Sequence, residues 1–170
     1  MLIGFMAAGK TTVGRILADR LGWGFIDFDD AIAERVGQPP GAVIRDRGEA
    51  AFRALEAEVT RELADRRQVV LAPGGGWAVQ PSLMESMGSG TALVWLRVTP
   101  EEAVRRAEAD GADRPLLGPP EGRVARMARL LRSRERRYRT ADVVVDVDDR
   151  EPPEVAEAIL HRLGSSAGGE

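Results

Sequence analysis

The sequence predicts an α/β fold, with a largely parallel sheet covered by helices on both faces, and three observations predict it. Short apolar runs of strand length alternate with segments of helical periodicity. One run, Val69-Val70-Leu71-Ala72, is continuously apolar, as a parallel strand buried on both faces should be. A glycine-rich turn stands between the first apolar run and the first helix. At 170 residues the chain fits one domain against a soft prior of roughly 150 per domain.

Each element follows in order. Met1-Leu2-Ile3 is the first strand, short against a usual length of about 5–6. Either the strand is short here or the natural chain starts further upstream. After the glycine-rich turn, residues 12–21 read as an amphipathic helix. Gly24-Phe25-Ile26-Asp27 is a short strand ending in an acid, and helical patterns cover 29–36 and 49–66. Val69-Val70-Leu71-Ala72 is broken sharply by Pro73-Gly74-Gly75-Gly76. Thr91-Ala92-Leu93-Val94-Trp95-Leu96 is the next strand, and Thr99-Pro100-Glu101-Glu102 signals a helix start.

Residues 109–122 hold three Gly, three Pro and two Asp around Arg114-Pro115-Leu116-Leu117. A loop of this kind is either a lid carrying an arginine or a plain surface loop with Arg114 solvated. A strongly basic helix with eight arginines spans 123–139. Val143-Val144-Val145 is the last strand, residues 152–163 form a closing helix, and 165–170 read as a flexible tail. The expected organisation is one domain over 1–164 with a lid at about 109–122.

Composition removes several function classes. There is no cysteine, which excludes disulfides, thiolate catalysis and cysteine metal sites. His161 is the one histidine, so a histidine triad or multi-histidine metal site has almost no material. A net charge of −3 argues against a protein built to coat nucleic acid. No apolar run approaches the roughly 20 residues of a membrane span, and no secretory pattern opens the chain. A cytoplasmic setting without nucleic-acid or membrane partners is expected.

Of the 24 basic residues, 23 are arginine and one is Lys10. A GC-rich coding background accounts for the arginines but not for where the lysine stands. Lys10 lies in Gly4-Phe5-Met6-Ala7-Ala8-Gly9-Lys10-Thr11, a complete G-x-x-x-x-G-K-[ST] pattern. Glycines let the backbone wrap a phosphate with successive N–H groups aimed at its oxygens. The compact ammonium follows the β- and γ-phosphates better than a broad guanidinium. Thr11 offers a hydroxyl to Mg²⁺, and the helix it opens adds its positive end. The chain is expected to bind a nucleoside triphosphate.

Such a site needs an acid near its metal. Asp27 and Asp146 both follow apolar runs, but Asp146 stands among Asp142, Asp148 and Asp149 and reads as the solvated margin of an outer strand. In Asp27-Phe28-Asp29-Asp30, an extended backbone puts Asp27 and Asp29 on one side, free to divide metal and acceptor duties. The competing reading has Asp29 or Asp30 capping the next helix. Arg53 beside Phe52, and Arg134 in the basic helix, suit an acceptor carboxylate or phosphate. Against that, Arg53 on these residues alone reads more readily as a snorkelling residue, and the basic helix as a solvated face or an RNA-contacting stripe.

These motifs, with Gly48-Glu49-Ala50-Ala51-Phe52-Arg53, Gly74-Gly75-Gly76, Arg114-Pro115-Leu116-Leu117 and Arg134-x-x-x-Tyr138, stand in the order and spacing of shikimate kinases, and from Gly4 to Leu163 the chain resembles that family. The resemblance implies a P-loop NTPase fold, a three-layer sandwich on a five-stranded parallel sheet with a mobile lid. It implies ATP- and Mg²⁺-dependent phosphorylation of the shikimate 3-hydroxyl by a monomer. Gly4, Ala7, Ala8, Gly9, Lys10, Thr11 and Thr12 resemble the phosphate loop, and Arg106 the residue flanking adenine. Thr11 and Asp27 resemble the magnesium side, and Asp29 the acid that hydrogen-bonds the acceptor hydroxyl. Arg53 and Arg134 look like the carboxylate grip, Gly74, Gly75 and Gly76 like backbone donors, and Arg114 like the lid arginine.

Two positions depart from the family pattern. Ala7 replaces a frequent glycine, and Trp77 follows the triple glycine where a small residue is usual. The indole either narrows the acceptor pocket or packs beneath it. Two rival readings are another small-molecule P-loop kinase, such as a gluconate kinase, and a non-catalytic nucleotide- or RNA-binding module.

Overall fold

The computed structural model describes residues 1–110 and 117–167. The strands are β1 (Leu2–Gly4), β2 (Gly24–Asp27), β3 (Val69–Ala72), β4 (Val94–Arg97) and β5 (Val143–Asp146). The helices are α1 (Lys10–Leu21), α2 (Phe28–Val36), α3 (Pro40–Arg47), α4 (Glu49–Leu63), α5 (Pro81–Glu85), α6 (Pro100–Asp110), α7 (Arg123–Tyr138) and α8 (Pro152–Ala167), with a short 3-10 helix at Trp77–Val79.

All strand pairings are parallel. Leu2 stands opposite Val94 and Gly4 opposite Leu96, while β4 continues to β5 from Val94–Val143 to Arg97–Asp146. The β2 strand pairs with β3 from Gly24–Val69 to Asp27–Ala72. The expectation of one five-stranded ladder is corrected in one respect: the hydrogen bonds fall into two groups, β1-β4-β5 and β2-β3. With three residues, β1 has its whole register on β4, and β3 lies beside it without a paired run.

Alternation along the strands explains the layers. Leu2, Val70, Val94 and Leu96 face one core with Val13 and Leu17 of α1 and Val155 and Ile159 of α8. Ile3, Leu71 and Trp95 face the other with Phe28, Ile32, Val43, Phe52 and Val59 of α2–α4. Each such side chain, fully buried, contributes about 1.5–3 kcal/mol. The sheet is covered on both faces, as the sequence predicts.

Several boundaries differ. The α3 helix lies between the two helical patterns read from the sequence; Pro40 occupies its first helical position, where its missing N–H costs nothing. The turn at Trp77–Val79 and α5 were also unexpected. The β4 strand starts at Val94 rather than residue 91, since the Leu93 N–H is taken by the Asp142 carboxylate at 2.7 Å. The closing helix continues past residue 163 to Ala167.

Candidate active site

Parallel strands bring their C-terminal ends, Gly4, Asp27 and Ala72, to one end of the sheet, where α/β folds bind ligands. A cavity of about 510 Å³ opens there. Ala7, Gly9, Lys10, Thr11 and Thr12 form one wall, Asp27 and Asp29 a second, Gly74 and Gly75 a third, and Arg106 closes the side. A second cavity, of about 340 Å³, lies by the opposite strand ends near Leu17, Trp23 and Val70; no residue selected from the sequence lines it.

The first wall has the backbone form of a phosphate cradle. Gly9 is the cap residue of α1 at φ 86°, and Ala7 also takes a left-handed φ of 56°. No side chain caps α1 and its first turn holds no acid, so its N–H groups and positive end are available to an anion. Lys10 Nζ donates to the carbonyls of Gly4 at 3.1 Å and Phe5 at 3.0 Å. Ala8 is buried in the core behind the loop and supports it.

Thr11 Oγ1 donates to Asp27 Oδ2 at 2.6 Å, bringing together the residues assigned to the metal. No cluster of three or more histidine or acidic ligands occurs among the described residues. That donor set suits Mg²⁺, which takes one or two protein oxygens and completes its shell with phosphates and water. The capping expectation changes: Asp27, not Asp29 or Asp30, caps α2, its Oδ1 accepting from Asp29 N at 2.9 Å. The backbone turns helical at Phe28, so Asp27 and Asp29 meet at the cavity through cap geometry rather than strand alternation. Asp146 pairs with Arg97 Nε at 2.5 Å on an exposed edge, in keeping with its reading as a strand margin.

Arg53 and Arg134 converge on one turn. Arg53 packs against Gly76 so closely that a Cβ there would lie 2.5 Å from its Nη2, so a side chain at Gly76 would push the guanidinium aside. Arg134, 8% exposed, donates from Nη1 to Gly75 O at 3.1 Å. Tyr138 Oη donates to the same carbonyl at 2.6 Å, and burial pushes its hydroxyl up to about 12. Arg53 is not a snorkelling residue: Nη1 reaches Glu56 Oε2 at 2.5 Å and Nη2 reaches Glu49 at 2.8 Å.

Glu56 is the residue that sequence reading missed. It is fully buried, its Oε2 accepts from Arg53 and from Gln80 Nε2 at 2.9 Å, and its Oε1 has no hydrogen-bond partner. Burial raises its pKa despite the pull of Arg53. Its three-residue helical spacing from Arg53 was the available signal. Trp77 is also fully buried and packs beneath the turn rather than narrowing the pocket. Arg106 is held by Glu102 at 2.5 Å and by the carbonyls of Val147 at 2.6 Å and Asp148 at 3.1 Å. Arg114 lies outside the described residues.

Comparison with known proteins bears on the family and the fold. The shikimate kinase family model matches residues 6–164. A shikimate kinase of Moorella thermoacetica is 44% identical over 164 residues, covering 96% of this chain and 92% of that protein. Among solved structures, a shikimate kinase from Acinetobacter baumannii in complex with shikimate aligns with a TM-score of 0.91 at 34% identity, covering 99% of this chain and 93% of that one. A gluconokinase from Sinorhizobium meliloti, at 21% identity and a TM-score of 0.65 over 98% of this chain and 91% of that one, shares the fold.

Proposed function

The chain belongs to the shikimate kinase family, and from that premise we propose that it moves the γ-phosphoryl group of ATP to the 3-hydroxyl of shikimate by direct in-line transfer. The observation that carries this reading is the cavity in which Lys10, the Thr11–Asp27 pair and Asp29 face the glycine turn held by Arg134.

Lys10 and the α1 N-terminus hold the β- and γ-phosphates. Thr11 and Asp27 supply oxygens to Mg²⁺, which when bound offsets the charge developing on the phosphates. Arg53 and Arg134 grip the shikimate carboxylate, and the Gly74, Gly75 and Gly76 turn orients the ring hydroxyls. Asp29 accepts a hydrogen bond from the acceptor hydroxyl and takes its proton as the oxygen attacks the γ-phosphorus. The bond to the β–γ bridging oxygen breaks and ADP leaves. Arg106 flanks adenine, and Arg114 arrives on a lid at about 109–122 to stabilise the transferring group. In this reading the five strands act as one sheet in a single domain over 1–164, a cytoplasmic monomer.

A coupled ADP-release assay with shikimate, gluconate and nucleoside monophosphates tests the reading. ADP release driven by shikimate is expected. Release with gluconate in its place would reassign the acceptor, and absence of ADP release with every one of these acceptors would favour a non-catalytic nucleotide-binding module.

A further inference from the structure

Trp77 follows the glycine turn directly, and the fold gives it a specific set of partners. Its ring is fully buried and meets Phe28 of α2 edge-on, with centroids 6.3 Å apart. Its Nε1–H donates to Thr60 Oγ1 at 2.8 Å, and the Thr60 hydroxyl donates to the Glu56 carbonyl at 2.6 Å. Arg53, Glu56 and Thr60 lie at i, i+3 and i+7 on α4, one helix face. The same face therefore carries the arginine of the acceptor grip, the acid that holds it, and the hydroxyl that receives the indole.

On the other side of the turn, the backbone N–H of Trp77 donates to Gly74 O at 3.0 Å, and Gly75 O is fixed from α7 by Arg134 and Tyr138. The glycine turn is thus attached to α7 by its carbonyl and to α4 by the side chain of Trp77. We propose that Trp77, through its bond to Thr60, is a positioning residue that sets the separation between Arg53 and the Gly74–Gly76 backbone, and so the fit of the acceptor. This rests on the shikimate kinase reading. Trp77 has no hydrogen bond to Lys10 or Thr11 among the described residues, and its side chain is tied to the α4 face that carries Arg53. The clamp therefore bears first on the acceptor, with the phosphate loop reached only through the packing of Gly75 on Gly4 and Met6.

The test is steady-state kinetics and thermal unfolding of the full chain for Trp77→Phe, Thr60→Val, their pair and Thr60→Ser, with Trp23→Phe as a distant control. Loss of one buried hydrogen bond is expected to raise KM for shikimate about threefold to tenfold in Trp77→Phe and in Thr60→Val. KM for ATP and kcat should stay within about twofold. The pair should be no worse than the poorer single variant, because both remove the same bond. Thr60→Ser keeps the hydroxyl and should restore wild-type KM. An unchanged shikimate KM in both single variants overturns the proposal. So do effects that multiply in the pair, or ATP and shikimate KM rising together as stability falls. Wild-type turnover on shikimate checks the assigned reaction separately; if another hydroxy-acid is the better acceptor, the same KM ratios are read on it.

Discussion

Thr11 and Asp27 share a 2.6 Å hydrogen bond that joins the first turn of α1 to the end of β2. The other oxygen of Asp27 caps α2 through Asp29 N at 2.9 Å. One carboxylate thus sets the start of the helix carrying Asp29 and faces the hydroxyl beside Lys10. The residues proposed for the metal and for the acceptor hydroxyl are therefore fixed by the same short group.

Asp27→Asn separates these duties. The amide oxygen still caps α2, while Oδ2 becomes an NH₂ that neither accepts from Thr11 nor offers charge to Mg²⁺. Turnover should fall at least about 10- to 100-fold with a raised Mg²⁺ requirement. Thermal unfolding should change little. Asp146→Asn is the contrast: its Arg97 pair is exposed, so activity should be unchanged and stability should fall by less than about 1 kcal/mol. A Mg²⁺ titration that moves with Asp146→Asn and not with Asp27→Asn would reverse the assignment.

Glu102 ties acid stability to Arg106, the residue proposed to flank adenine. Hydrogen bonds from Arg105 and then Arg106 hold its carboxyl down from 4.5 to about 2. Its folded value lies below its unfolded one, so its contribution is present above about pH 4.5 and is lost as pH falls toward 2. Glu102→Gln should flatten the acid limb of a stability–pH curve across that window. It also replaces the charged 2.5 Å partner of Arg106 Nε by a neutral amide oxygen, which weakens the hold on the guanidinium beside the carbonyls of Val147 and Asp148. KM for ATP should rise roughly twofold to tenfold. An unaltered acid limb with an unaltered ATP KM would separate Glu102 from both roles.

Features legible in the sequence are those whose chemistry sits in contiguous residues. The loop from Gly4 to Thr11 needs its glycines and lysine at fixed offsets, and the alternation of Leu2 with Ile3 and of Val70 with Leu71 sends side chains to opposite cores. Features that were not legible depend on partners brought together by folding. Glu56 and Gln80 are 24 residues apart, and only the spacing along α4 hinted that Glu56 shares a face with Arg53. The cap role of Asp27 was hidden because a strand passing directly into a helix leaves no break in polarity at Phe28. Pro39-Pro40 has the composition of a turn and the geometry of a helix start.

Ala7 holds a left-handed φ of 56° at the tip of the phosphate cradle. That conformation costs an L-residue about 1–2 kcal/mol, while glycine in its place adds about 0.4–1 kcal/mol of unfolded-chain entropy. The strain is the larger of the two. Ala7→Gly should therefore be neutral to stabilising by about 1 kcal/mol in denaturant unfolding, with the loop's phosphate contacts kept. Destabilisation beyond about 0.5 kcal/mol would show that the loop accommodates Ala7 without strain.

Glu56 decides which of two opposed effects prevails at the acceptor side. Burial raises its pKa, and the Arg53 hydrogen bond and charge pull it back. Oε2 has two donors, Arg53 and Gln80, but Oε1 has none in a residue with no exposure, so the charged form keeps an unsatisfied oxygen. Burial therefore wins, and the folded pKa lies above the unfolded one. Such a group favours the fold while protonated, and that contribution is lost as pH rises through its folded value. Glu56→Gln cannot titrate, so relative to wild type it should gain stability as pH rises from the ordinary carboxylate range toward neutrality. Thermal unfolding of both proteins across that range reads this directly. Glutamine also leaves Arg53 with only Glu49 as an acidic partner, so KM for shikimate should rise while KM for ATP holds. If wild type instead gained on Glu56→Gln with rising pH, the attraction of Arg53 would outweigh burial, and Glu56 would act as a plain carboxylate of the ion pair.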